Sequence, residues 1–263
     1  MTARRITRTV WPPLVIGGAL AFLYGPALVT AILSFNRSPI TGFPIRGLTV
    51  RWYSELWNDP QFRQSALLSL KVAALATLLG VVFGTAAAIG VSQSKSRIAR
   101  TLSSVYVLPL LIPHLVLAIA ISATFRLLNI RLAIWTVVAG HVVLTAPIVY
   151  LFVIARLRGF DWTLPSAARV LGASRRQAFL RVTGPLLAPA ILGSAILAFV
   201  ISMDNFVFSL FLTSGPSTLP LLIWSRMRES FDPSVNALAT SFIALTLLAA
   251  FIVERLARLG ANE

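Results

Sequence analysis

Residues 132–155 read LAIWTVVAGHVVLTAPIVYLFVIA, and residues 156–185 read RLRGFDWTLPSAARVLGASRRQAFLRVTGP. The first stretch is apolar from end to end. It is long enough to cross a hydrocarbon core as a helix, which takes about 20 residues. A helix is forced there, because unpaired backbone amides in lipid are too costly and no barrel-like alternation is visible. The second stretch is polar, basic and helix-forming, and too short to be a domain of its own.

Five further apolar windows flank this pair: Trp11–Leu33, Ala66–Val91, Leu102–Thr124, Leu186–Leu212 and Val235–Val253. With Leu132–Ala155 they predict six spans in one transmembrane domain covering residues 1–263. Composition agrees, since only 12% of the residues are charged, against about 25% in a soluble domain. The expected fold class is an all-α integral membrane protein.

The 23 basic residues outnumber the 8 acidic ones, and all but Lys71 and Lys95 are arginine. In a soluble chain that excess would suggest nucleic acid; here it sorts the two sides of a bilayer, and no nucleic-acid partner is expected. Arg4, Arg5 and Arg8 precede a first window too long for a signal-peptide core, so it reads as an uncleaved helix with its N-terminus inside. That choice places 14 basic residues on the cytoplasmic side and 8 outside, with Lys71 at a helix end. The positive-inside rule then puts both termini in the cytoplasm. The absence of cysteine excludes disulfides and thiolate metal sites.

The outer connection over residues 34–65 carries Trp52, Tyr53 and Trp57. Small residues recur at four-residue spacing in the second window (Gly80, Gly84, Ala88) and in the first (Gly17, Ala21, Gly25). Such stripes let helices approach closely. Whether they pack within this chain or against a partner is open from sequence.

In the inner connection, residues 156–184, Thr163 is placed to cap a short helix and Pro165 fits its first turn. Ala167, Ala168 and Leu171 give that helix a small apolar face, and Gly172 is placed to end it. Ser174 is placed to cap a second short helix carrying Ala178 and Phe179. Together they predict a rigid cytoplasmic knob shaped for a groove in something else.

This loop resembles the signature of the permease subunits of type I ABC importers, a cytoplasmic Glu-Ala-Ala…Gly segment before the penultimate helix. Ala167, Ala168, Gly172, Phe179, Pro185 and Pro189 fall on that pattern. Within the superfamily the chain is most similar to the PotC-type polyamine permeases. That similarity includes Arg51-Trp52-Tyr53, Leu108-Pro109…Pro113, His141, Ser202-Met203-Asp204-Asn205-Phe206, Ser214-Gly215-Pro216, Thr218-Leu219-Pro220 and Asn236–Thr240.

The resemblance implies one half of a translocation path for a small organic cation, in the inner membrane of a bacterium. It also implies a PotB-type partner permease, a cytoplasmic ATPase dimer that binds ATP and magnesium, and an extracytoplasmic solute-binding protein. Glu55, Asp59, Glu229 and Asp232 would help receive that protein or the solute. Thr163, Ser166, Ala167, Ala168, Gly172, Ala173, Arg175 and Phe179 would meet the ATPase. The chain departs from the family at Ser166, where the signature glutamate is absent, and at His114 and Asn205, where relatives carry acids. Those two changes remove negative charge from the path and open a rival cargo, an amino-acid derivative or opine-like compound.

Asp204 is the only acid well inside an apolar window, and such a residue marks a pathway or a buried pair. It reads either as a partner for a substrate ammonium or as an intersubunit packing contact. Ser202 would bond substrate or its own helix backbone. Trp52 would face a cation or, the favoured reading, anchor at the headgroups.

His114 and His141 lack a third ligand at sensible spacing, so no metal is expected and both read as core histidines. No phosphate-binding loop or hydrolase motif is present, so no cofactor and no enzymatic activity are expected of this chain. An ion-coupled transporter using Asp204 and His141 is the rival mechanism.

Overall fold

The computed structural model describes residues 11–39, 42–94, 96–229 and 233–260. Arg4, Arg5, Arg8, Lys95 and Asp232, named above for orientation and partner contacts, lie outside the described residues. The described chain is almost wholly helical. In order it forms α1 (Trp11–Leu33), α2 (Arg51–Asn58), α3 (Pro60–Gln93), α4 (Arg97–Val107), α5 (His114–Leu127) and α6 (Ile134–Leu157). There follow α7 (Thr163–Val170), α8 (Arg175–Ala178), α9 (Gly184–Asp204), α10 (Phe206–Leu212), α11 (Leu219–Glu229) and α12 (Pro233–Gly260).

Among the described residues, five helices are long and apolar enough to cross a membrane, and a sixth span results if the bent pair α4–α5 counts as one. Two of the expected continuous spans are broken. The window Leu102–Thr124 bends by 106° between Leu110 and His114, where Pro113 cannot donate a helix hydrogen bond and pushes Ile112 out of helical geometry. The window Leu186–Leu212 breaks at Asn205, whose backbone is extended between α9 and α10.

The expected single body stands beside a division into two compact units. One comprises the chain up to Asp59 with Ser225–Ile243, and the other comprises Pro60–Trp224 with the chain from Ala244. In the larger unit α3, α6 and α9 pack together. Lipid gives no hydrophobic drive for helix association, so close backbone approach and hydrogen bonds must supply it. The stripe on α3 does this within the chain. A Cβ on Gly80 would lie 2.6 Å from Thr145 Oγ1, and one on Gly84 would lie 2.5 Å from the Ala146 carbonyl oxygen. Thr145 donates to the carbonyl of Ala76 at 3.1 Å. Gly17 and Gly25 on α1 have open space at the same position.

Candidate functional site

Both span breaks open onto one cavity of about 360 Å³ lined by Leu110, His114, Leu144, Ile148, Ile201, Asp204, Asn205, Phe206 and Val207. Three of the five expected pathway residues, Asp204, Asn205 and His114, therefore share a wall. Asp204 is the last residue of α9 and is exposed in this chain, with no hydrogen bond or ion pair to any described residue. It directly precedes Asn205, the N-cap of α10.

Asn205 is buried and occupied. Its side-chain oxygen accepts the Phe208 backbone N–H at 3.0 Å, which caps α10, and its carbonyl accepts from Ser209 at 3.1 Å. It shapes the break and leaves Asp204 as the free charge. His114 opens α5 beside the cavity, with its ring edge-on to Phe208 at 6.3 Å. His141 meets Phe208 from its own side at 6.1 Å.

Two expected pathway residues are placed elsewhere. Ser202 is buried and bonds His141 Nδ1 at 2.7 Å; it tethers α9 to α6 and lines no part of the cavity. His141 is 2% exposed and its Nε2 has no hydrogen-bond partner among the described residues. Trp52 belongs to the other compact unit, where it is buried rather than anchored at a membrane surface. Its indole N–H donates to the Asn36 carbonyl at 2.8 Å, and Arg51 lies over its ring at 5.4 Å. The exposed aromatic of α2 is Trp57. In the same unit Arg226 pairs with Asp59, and Arg51 pairs with Glu55 at 2.6 Å, so these two acids already have basic partners.

The knob forms as two helices, with one correction to its start. Thr163 is the first helical residue and is itself capped. Its N–H and its hydroxyl both donate to Asp161 Oδ1, at 2.9 and 2.7 Å. These bonds hold the exposed Asp161 carboxyl below its ordinary range. Ser166 donates to the Trp162 carbonyl at 2.9 Å instead of capping anything.

Gly172 ends α7 with φ +95°. The Gly172 N–H reaches the Arg169 carbonyl and the Ala173 N–H reaches the Ala168 carbonyl, a paired C-terminal closure that requires the left-handed glycine. Ser174 and Gln177 then cap α8 reciprocally.

The tip that results is apolar. Val170 is 87% and Leu171 88% exposed; Leu171 was expected on the helix's apolar face, and Val170 was not singled out in the sequence. Two adjacent aliphatic residues just before a helix-ending glycine, in an otherwise basic loop, are the signal that marks them. Thr163, Ala167, Arg175 and Phe179 are exposed on the same knob, while Ala168 and Ala173 are half-buried. Among the described residues no group of three metal-ligating side chains occurs.

Residues 80–259 match the family described as binding-protein-dependent transport system inner membrane component. The chain is 34% identical over 240 residues to the spermidine/putrescine transport system permease protein PotC of Escherichia coli (strain K12), covering 90% of each chain. It is 30% identical over 256 residues to the putrescine transport system permease protein PotI of the same strain, covering 94% of this chain and 90% of that one. Its fold is similar, at a TM-score of 0.70 and 15% identity, to a chain of a bacterial alginate ABC transporter solved with an alginate-bound periplasmic protein. That match covers 94% of this chain and 90% of the other. A match over the greater part of the length, by sequence and by fold alike, places the chain among the permeases of ABC importers: it belongs to the family of binding-protein-dependent transport system inner membrane components.

Proposed function

We propose that this chain is half of an ATP-driven import path for a small organic cation of the polyamine class. The observation that carries the reading is the cavity at the two span breaks, where an unpaired Asp204 carboxylate stands against walls made mostly of aliphatic and aromatic side chains. A polyamine has that chemistry in reverse, ammonium groups joined by methylene segments. An ion contact at Asp204 and apolar contacts with Leu110, Ile148 and Phe206 would hold it. The similarity to PotC and PotI supports the same class.

The second permease, a PotB-type chain in this reading, would supply the facing wall. The α7–α8 knob would seat Val170 and Leu171 in a groove of a cytoplasmic ATPase, and that subunit would bind ATP and magnesium. A periplasmic binding protein would deliver solute at the other end, as the family description and the alginate complex suggest. The knob then lies in the cytoplasm, as do both termini. The reading asks no bond-making chemistry of this chain.

The test is uptake of labelled spermidine and putrescine into cells lacking their own polyamine importers. Those cells would express this chain with its neighbouring permease, ATPase and binding protein. Saturable uptake that disappears when the ATPase is inactivated is the expected result. No uptake by an assembled complex would discard the polyamine and turn the search to the binding protein's ligand. A neutral or anionic solute has one observation in its favour, that Asn205 and His114 stand in the cavity wall where an acid would serve a cation. Uptake that persists without the ATPase but collapses with the proton gradient would establish the ion-coupled mechanism.

A further inference from the structure

A second cavity lies at the end of α6 remote from the knob, and its chemistry is opposite to that of the Asp204 cavity. It measures about 500 Å³ and is bounded by Arg131, the first turn of α6, Leu68 and Val72 of α3, and the 213–218 segment. We propose that it holds one anionic phospholipid, with the phosphate on Arg131 and Thr218 and an acyl chain along Leu68, Val72 and Val137.

Three features point to that occupant. Arg131 makes no hydrogen bond or ion pair with any described residue, so its charge is available to the cavity. The N-terminal turn of α6, a helix of 24 residues, lines the same wall and adds positive partial charge. Thr218 is only 5% exposed, lines the cavity, and its hydroxyl has no partner among the described residues. A buried hydroxyl is rarely left unpaired, and one that lines the same cavity as an unpaired guanidinium suits a phosphate oxygen.

Depth then selects a lipid rather than a soluble anion. Trp135, the second residue of α6, is 67% exposed, and an exposed tryptophan at a span end sits at headgroup level. Arg131 lies four residues before it at the mouth of the span. Leu68, Val72 and Val137 make the rest of the wall apolar.

The walls are fixed rather than loose. Thr136 donates to the Leu212 carbonyl at 2.7 Å, Ser214 donates to the Leu132 carbonyl, and the Leu219 N–H donates to Ser69 Oγ at 2.8 Å. These bonds pin the 213–218 segment to α6 and α3, so the cavity is built before any ligand enters.

The experiment uses the full chain, co-expressed with its partners and extracted in mild detergent. Bound lipid is counted per chain by mass spectrometry after exchange into phosphatidylglycerol or phosphatidylcholine. Phosphatidylglycerol is expected to be retained at one per chain and phosphatidylcholine to wash out. Arg131→Gln removes a charge-assisted contact and is expected to cut retention about tenfold, while Arg126→Gln, outside the cavity, leaves it unchanged.

Thr218→Val separates an occupied site from an empty one. The thermal shift given by phosphatidylglycerol should shrink in this variant, while its Tm in lipid-free detergent holds or rises because an unpaired buried hydroxyl is gone. Equal retention of the two lipids, or no change in Arg131→Gln, overturns the proposal. So does an equal thermal shift from inorganic phosphate alone, which would assign the site to a soluble anion.

Discussion

The knob and the Asp204 cavity treat their polar groups in opposite ways. At the start of α7, Asp161 takes the Thr163 N–H and hydroxyl; at its end, Gly172 and Ala173 close the last carbonyls. The knob's backbone is satisfied by its own residues, and what it offers outward is the apolar pair Val170 and Leu171. In the cavity, Asn205 is spent on capping α10, and the Asp204 carboxyl ends α9 with no hydrogen bond or ion pair to any described residue. On the proposed reading, a surface that would push a partner is finished in advance, and one that would take and release a charged solute leaves one group unfinished.

The largest effect should therefore come from removing that unfinished charge. Asp204→Asn keeps size and hydrogen-bonding shape but deletes an ionic contact of about 1.5–3 kcal/mol, so cation uptake should fall about ten- to a hundredfold. The detergent-solubilised complex should keep its Tm, since no described residue depends on the carboxylate. If the complex instead falls apart with uptake lost in proportion, Asp204 is a packing contact and the comparison fails.

Next in size is Gly172→Pro. Proline fixes φ near −65° where this backbone sits at +95°. The closure of α7 must open, and Val170 and Leu171 lose their fixed position. Uptake should drop severalfold while ATP hydrolysis by the complex continues, so ATP spent per solute rises. Normal stoichiometry in this variant would show that the knob's shape does not carry the coupling.

How much of this was legible follows from where each signal resides. α1 begins and ends on the bounds of its apolar window, Trp11–Leu33, because hydropathy alone sets a span. Pro113 carries the signal of the first break in covalent terms, although the apolar window by itself predicts one continuous span. The break at Asn205 was hidden, since it falls inside a long apolar window and the new helix is started by a side-chain cap. An Asp-Asn pair ahead of Phe206-Val207-Phe208 carries that signal once Asn is read as an N-cap. Trp52 was beyond reach of sequence, because its fate depends on the Asn36 carbonyl, sixteen residues away. The two small-residue stripes looked alike, and only the structure separates α3, which uses its stripe against α6, from α1, which has open space over Gly17 and Gly25.

A smaller effect tests whether Asn205 is scaffold rather than ligand. Asn205→Ala removes the cap of α10 and should cost about 1 kcal/mol, seen as a Tm loss of a few degrees. Asn205→Asp keeps an acceptor for the Phe208 N–H and adds a second charge beside Asp204. A cation path should keep or gain uptake in that variant, and a path for an anionic solute should lose it.

The smallest effect belongs to the finished side of the comparison and is read by pH. Asp161 has its carboxyl pKa lowered by the two bonds from Thr163. A depressed carboxyl supports the folded turn fully above its ordinary value, and that support is lost as pH falls through the lowered one. Amide exchange at Thr163 and Leu164 should therefore quicken, relative to intrinsic rates, only at pH below the normal carboxylate range. Asp161→Asn retains an oxygen acceptor without the titrating charge, so the turn should persist and its pH dependence vanish. If the amides exchange alike at all pH values in both proteins, the start of α7 owes nothing to Asp161, and the knob is held by its Gly172 end alone.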